Sequence, residues 1–376
     1  MIKNSFTKKI VVSAVNFTAG GGLTLVNDCL SYLSSFVEIN TEYSVTAIVY
    51  DKSLCYYPNI EYIEYKKAKN SWIKRVYVEY IYFHKLSKQI NPYLWLSLHD
   101  VSPNVKAEKR VVYCHNPFPF YKFLIKDLYF NYKVPLLVLM YKYIYKVNIK
   151  KNTFVVVQQN WLRNAFVKLF SLKREKIIVA NPQKERQIDN LQQMTESADK
   201  REKVFFYPVL SRPFKNFETI CKASKLLQQK NIFNFKILLT IDGTEENYSK
   251  YILNKYGGDN KIDFMGKMSL DDVYKLYEKT DCLLFPSKLE TWGLPVSEFA
   301  AYKKPMIISD LPYAHETASN AEMVAFFNPV NSNELAALME DVINGDLNKF
   351  SACPSLNVDM PFTKNWEDLF DIILNN

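Results

Sequence analysis

Residues 281–310 read DCLLFPSKLETWGLPVSEFAAYKKPMIISD. Cys282 to Phe285 is a short apolar run of the kind a buried parallel strand carries, and Pro286-Ser287 ends it. The loop 288–292 follows, and Gly293-Leu294-Pro295 opens a helix, where a proline in the first turn loses no hydrogen bond. Lys303, Lys304 and Pro305 close that helix, and Met306 to Ile308 is the next strand. Strand, loop, helix, strand is the repeating unit of a parallel α/β sheet. Two carboxylates, Glu290 in the loop and Glu298 on the helix, flank the helix start. Free backbone N–H groups at a helix start suit an anion such as a phosphate. Carboxylates beside that anion can instead accept hydrogen bonds from sugar or ribose hydroxyls. One anion together with several hydroxyls is the chemistry of a nucleotide sugar.

The stretch ETWGLPVSE, with its flanks FPSKLE and KPMIISD, resembles the Glu-x7-Glu signature of family-4 retaining glycosyltransferases, of the bacterial polysaccharide or O-antigen type. The resemblance implies a GT-B fold: two doubly wound Rossmann-like domains facing a cleft, with a C-terminal helix crossing back to the first. It implies that Glu290 contacts the donor sugar and that Glu298 holds the nucleotide ribose. Trp292, Gly293 and Leu294 complete that part of the donor site. Without the flanks, each Glu reads equally as a solvated acid at a helix start, where acids are favoured anyway.

The remaining sequence is consistent with that frame. A chain of 376 residues with 48% hydrophobic content suits two domains of ordinary size. We place an acceptor domain at 1–185, a polar linker at 183–203, a donor domain at 200–360, and a closing helix at 362–376 packing back. The six cysteines form no C-x-x-C pair and sit mostly in apolar runs, as reduced core thiols of a cytosolic protein do. The basic, apolar N-terminus reads as a first strand rather than a signal peptide. No window reaches the roughly 18 apolar residues that a membrane-spanning helix needs.

Lys9 to Asn16 is that first strand, and Ala19-Gly20-Gly21-Gly22 precedes a helix from about Leu23 to Phe36. Glycines there let backbone approach a phosphate. The G-x-G-x-x-G spacing of a dinucleotide site is absent, and a plain tight turn is the alternative. The resemblance implies that Gly21 and Gly22 face the donor phosphates. Arg110 to Cys114 is a strand ending at His115, where function collects in open α/β sheets. The resemblance brings His115 near the donor sugar; a histidine bonded to local backbone is the other reading. In the second domain, Lys215 matches a cation that grips the diphosphate. The arginine expected about five residues earlier is Leu210 here, which leaves Arg212 as its only nearby substitute. Glu290, Lys215 and His115 form the expected catalytic set. No D-x-D motif holds a divalent ion, so no metal or other cofactor is expected beyond the nucleotide-sugar substrate.

Lys+Arg of 48 against Asp+Glu of 39 gives a formal charge of +9. That balance admits nucleic acid or an anionic membrane surface as partner. Aromatic content of 15% with 26 tyrosines favours the membrane interface, and we expect no nucleic acid. Lysines interleave with aromatics in 66–89 and again in 118–152. The first reads as one basic, aromatic helix; the second can lie in the headgroup plane or be core helices with snorkelling lysines. The expected protein is therefore peripheral on the inner face of the cell membrane, with a glycan or lipid-linked glycan as acceptor. A nucleotide-sugar epimerase and a basic membrane-binding module without catalysis are the rival readings.

Overall fold

The computed structural model describes residues 7–66, 71–121, 130, 133–181 and 201–375. Fourteen strands appear among them: β1 (Lys8–Ala14), β2 (Tyr43–Val49), β3 (Ile60–Glu64), β4 (Leu94–Ser97), β5 (Lys109–Cys114), β6 (Phe154–Val157), β7 (Ile177–Ala180), β8 (Lys203–Tyr207), β9 (Phe235–Leu239), β10 (Ile262–Phe264), β11 (Cys282–Phe285), β12 (Met306–Ser309), β13 (Val324–Phe327) and β14 (Phe362–Thr363). Their apolar runs are short because both faces of each sheet are covered. β4, β7, β11 and β12 are buried at every position, as parallel strands between helical layers must be.

The strands form two sheets, one of eight in the order β14-β7-β6-β5-β4-β1-β2-β3 and one of six in the order β10-β9-β8-β11-β12-β13. Every pair within them is parallel. Strand order reverses between β1 and β4 in the first sheet and between β8 and β11 in the second. In doubly wound sheets, ligands bind beyond the carboxyl ends of the strands at such reversals.

The chain divides into two compact units: Met1–Phe120, Leu137–Gln183 and Val358–Asn376 in one, Tyr121–Leu136 and Lys184–Asn357 in the other. The expected linker at 183–203 lies outside the described residues except for 201–203. The expected closing helix begins later than its apolar pattern suggests. Phe362–Thr363 instead pairs beside β7 as an edge strand. Asn365 then accepts from the Asp368 N–H at 2.6 Å and starts the helix Trp366–Asn375. That helix buries Leu369, Phe370, Ile373 and Leu374 in the core made by β1, β2, β4 and the helix Gly20–Ile39. Its terminal carbonyls are met by Lys109, whose Nζ donates to the Ile373 and Leu374 oxygens at 3.0 and 2.7 Å, and by the Tyr93 hydroxyl at 3.1 Å. A cation at a helix C-terminus is the favourable sign.

Two local expectations change. Gly20, Gly21 and Gly22 form the first turn of the helix Gly20–Ile39 instead of a loop before it. Gly20 holds a left-handed φ of +69°, which favours glycine, and a Cβ on Gly22 would lie 2.3 Å from the Phe17 ring. The basic segment at 66–89 is not one regular helix. Trp72–Tyr77 runs into a π-helical turn, Val78–Tyr82, and on into Phe83–Ile90, with 67–70 outside the described residues. Such turns insert a residue into the helical register and recur at functional sites. Of the segment 118–152, Lys133–Lys146 is helical, and 122–129 and 131–132 lie outside the described residues.

Candidate active site

In the second unit, the loops leaving β8 and β11 lie at the order reversal, and several hydrogen bonds clamp them together. The Lys288 N–H donates to the Phe214 oxygen at 2.8 Å, and Asn216 Nδ2 donates to the Pro286 oxygen at 3.0 Å. Tyr207 spans the pair from below, its hydroxyl donating to the Lys215 oxygen at 2.8 Å. Asn216 adopts a left-handed conformation at φ 62°, which ends the turn Pro213–Lys215 and starts the helix Phe217–Gln229. Lys215 is thereby aimed back over β11, where its Nζ pairs with Glu290 Oε1. Glu290 is 8% exposed. The two residues therefore form a half-dry ion pair that would be costly to break from one side only.

Gly293 follows at φ +94°, a conformation open to glycine, and a Cβ there would press on the Phe285 ring at 3.3 Å. It starts the short helix Leu294–Ala300 with Pro295 in the first turn. Trp292 is fixed by both its ends. Its Nε1 donates to Ser297 Oγ at 3.1 Å, and its carbonyl accepts from the Thr317 hydroxyl. Glu298, on the same helix, accepts from the Tyr277 hydroxyl at 3.2 Å. Tyr277 is otherwise packed among Phe206, Phe299 and Tyr302. Arg212 lies apart from this pair. It is half exposed and donates to Glu246 Oε2 at 2.9 Å, while Leu210 is 62% exposed. Glu316 lies in the helix Pro312–Thr317.

In the first unit, the carboxyl ends of β1, β4 and β5 carry a second polar cluster. His115 follows β5. Its N–H donates to Asp100 Oδ1 at 2.7 Å, and its Nε2 lies 3.1 Å from the Leu98 oxygen and 3.6 Å from Asp100 Oδ2. When Nε2–H donates to Leu98, Nδ1 is the acceptor of the neutral ring and can take a hydroxyl proton's hydrogen bond. Phe17, held by Gly22, packs on the His115 ring at 5.3 Å between centroids. Asp100 sits at φ +69° and also accepts from the Tyr145 hydroxyl at 2.6 Å and the Asn116 N–H at 3.0 Å.

Arg75 crosses this end of the sheet. With its amide oxygen turned to the guanidinium, Asn16 accepts from Nε, Nη1 and Nη2 at 2.9, 3.0 and 3.2 Å, and Nη2 also donates to the His99 oxygen at 3.0 Å. Beneath it, His99 Nδ1 lies 3.1 Å from Glu79 Oε1, both side chains about 2% exposed or less. Burial pushes the Glu79 carboxyl up to about 8, against the pull of Arg75, and holds His99 well below the usual histidine range. At neutral pH this contact is thus a neutral carboxyl beside a neutral imidazole and not a salt bridge. Sequence reasoning passed over Arg75 and Glu79 because Arg75 reads as one more cation in a basic run. The available signal was that Glu79 is the sole acid between Glu64 and Asp100.

Residues 187–353 match the family model described as Glycosyl transferases group 1. The chain is 22% identical over 276 residues, 71% of each protein, to the O-antigen chain mannosyltransferase RfbU of Salmonella typhimurium. Among solved structures, WaaG, a glycosyltransferase involved in lipopolysaccharide biosynthesis, superposes with a TM-score of 0.61 at 14% identity, over 89% of this chain and 90% of that one. HepE of Anabaena, in complex with UDP-glucose, superposes with a TM-score of 0.59 at 15% identity, over 91% and 92%. The fold is GT-B, and the residues that match the group 1 model lie within its second unit.

Proposed function

We propose that this chain is a retaining glycosyltransferase that moves a hexose from a nucleotide sugar to a glycan on a lipid carrier, in the synthesis of cell-surface polysaccharide. The observation that carries the reading is the Lys215–Glu290 pair at the order reversal of the second sheet, inside the region that matches the group 1 model. The Salmonella relative's name and the UDP-glucose held by the Anabaena protein support the same substrate class.

The roles follow from charge. As the bond from sugar to diphosphate breaks, negative charge grows on the leaving phosphate oxygen. Lys215 is a fixed cation beside that position, already oriented by Glu290 and by the Tyr207 bond to its carbonyl. Preorganised charge of this kind is worth about 3 kcal/mol per donor. Arg212 would join once it left Glu246, and the N–H groups of Gly293 and Leu294 are the neutral donors nearby. Glu290 accepts from a sugar hydroxyl and Glu298 from the ribose. In the first unit His115, polarised through Leu98 and Asp100, meets a hydroxyl. Lys215 and the backbone donors take the place a divalent ion would hold, so the transfer needs no metal.

The test is a thermal-shift panel of nucleoside diphosphates and nucleotide sugars, followed by transfer of labelled sugar from the best binder to lipid-extracted acceptors. Stabilisation by one nucleotide class and label in the lipid phase is the expected result. Sugar isomerisation without transfer would make the protein an epimerase, and no nucleotide-dependent shift would overturn the reading.

A further inference from the structure

Between the helix that runs from Trp72 through the π-helical turn to Tyr82 and the far end of the helix Lys133–Lys146 lies a groove of about 340 Å³. Val76, Tyr80, Val101, Tyr143, Ile144 and Val147 line it, with Arg75 and Glu79 at its inner end. The volume is at the lower end of the range for ligand pockets, and the wall is almost wholly carbon. Both Glu79 oxygens are buried and make no hydrogen bond. Burial lifts that carboxyl toward 8, so the inner end presents no net anion at neutral pH.

The outer rim is as unusual as the groove. Ile73, Val76, Tyr77 and Ile81 on one side are 83, 51, 45 and 47% exposed; Leu139, Tyr143 and Val147 on the other are 56, 61 and 45% exposed. Residues 73, 76 and 77 share one face of the first helix, with Ile81 following in the π-helical turn, and 139 and 143 share one face of the second, with Val147 just past its end. Scattered exposed apolar residues are ordinary, but two stripes meeting at one groove are an interaction surface. The flanking charges all have one sign. Lys74, Lys85, Lys88, Lys142, Lys146, Lys150 and Lys151 are exposed, Glu79 is the single acid from 65 to 99, and no acid occurs from 128 to 174.

We propose that the groove is a hydrocarbon-chain site: the two stripes enter an anionic bilayer, the lysines meet its headgroups, and one lipid chain lies between Val76 and Val147. This rests on the membrane reading above and deepens it from surface attraction to insertion. Lysines alone would hold the protein at the headgroups by a force that salt removes. A nucleic-acid partner would leave the carbon-lined groove without purpose, whereas acyl chains match it and an anionic surface matches the lysines of its rim.

The experiment labels the full chain at Val76→Cys or Val147→Cys with an environment-sensitive fluorophore; the six native cysteines are all buried. Ile39→Cys, 81% exposed on another helix, is the control. On vesicles of mixed zwitterionic and anionic phospholipid, the groove labels should shift blue and be quenched by chain-spin-labelled lipid, while the Ile39 label does neither. Leu139→Asp should weaken vesicle binding about tenfold or more, the worth of burying one leucine, with nucleotide stabilisation of the protein unchanged. Salt-sensitive binding with no shift at either groove label overturns the proposal and leaves membrane attraction standing. No binding to any vesicle overturns both. The nucleotide panel, run without lipid, tests the transferase reading separately.

Discussion

Replacing Glu79 by glutamine removes a buried acid and keeps its shape, and the cost of that acid can be worked out from its surroundings. Burial raises its carboxyl from 4.5 to about 8, with Arg75 opposing the rise. The unfolded chain ionises this group near its ordinary value, so between those values the folded state holds a proton that the unfolded state has lost. Stability then falls as pH rises. His99 acts with the opposite sign. It is held neutral when folded but binds a proton when unfolded below 6.5, so its share of stability grows with pH up to that point. The two slopes offset each other below about 6.5, and from about 6.5 to 8 Glu79 acts alone. Over that interval it costs about 2 kcal/mol, from about 1.4 kcal/mol per pH unit. For a unit of this size that is a fall in Tm of about 4–8 °C. The wild type should lose this much between pH 6.5 and 8, and Glu79→Gln should not. Thermal unfolding followed by tryptophan fluorescence reads the right unit, because Trp72, Trp95, Trp161 and Trp366 lie in the first unit and only Trp292 in the second. Parallel slopes for the two proteins would show that Glu79 is ionised in the fold and that the neutral pair with His99 is wrong.

Lys215→Met should lower kcat by about a hundredfold to a thousandfold, whereas Arg212→Ala, which breaks an exposed pair with Glu246, should cost less than about threefold; steady-state kinetics with the preferred nucleotide sugar decide, and the reverse order would move the diphosphate grip to Arg212. Glu298→Ala should weaken nucleotide binding by about 1–3 kcal/mol in titration calorimetry, while Glu290→Ala chiefly lowers turnover. Activity should persist in excess chelator; loss that a divalent ion restores would refute transfer without metal. Lys109→Met leaves the Ile373 and Leu374 carbonyls short of a partner and should destabilise the first unit by about 1–2 kcal/mol, measured by urea denaturation.

The strands other than β14 were legible because parallel β-structure between helical layers compresses into short apolar runs, and β11 with its loop carries the plainest of them; β14 is two residues long and falls in the stretch expected as the closing helix. The junction of Lys215 with Glu290 was not legible as contact. Seventy-five residues separate them, and only the order reversal between β8 and β11 brings their loops together. The resemblance named both residues without saying that one would hold the other. The glycines at 20–22 were misjudged in form: a run of glycine suggests a loop, but Gly22 is needed for the packing of Phe17, and the helix simply begins there. Arg75 was hidden by its neighbours. A single half-buried arginine inside a lysine-rich amphipathic run has no periodic signature, because what distinguishes it is Asn16 and the His99 carbonyl, both far away in sequence.

The return of residues 362–375 to the first unit inverts the order in which the chain can mature during synthesis. Domains usually complete from the N-terminus as they emerge from the ribosome. Here the core around β1, β2 and β4 lacks Leu369, Phe370, Ile373 and Leu374 until these residues have been made, after the whole of residues 184–357. The second unit therefore has its residues in hand first, and the nascent first unit waits with an uncovered apolar strip beside the helix Gly20–Ile39. A fragment stopped after β7 would keep that strip permanently, so the first unit is obtained as a separate body only by joining residues 358–375 back onto it.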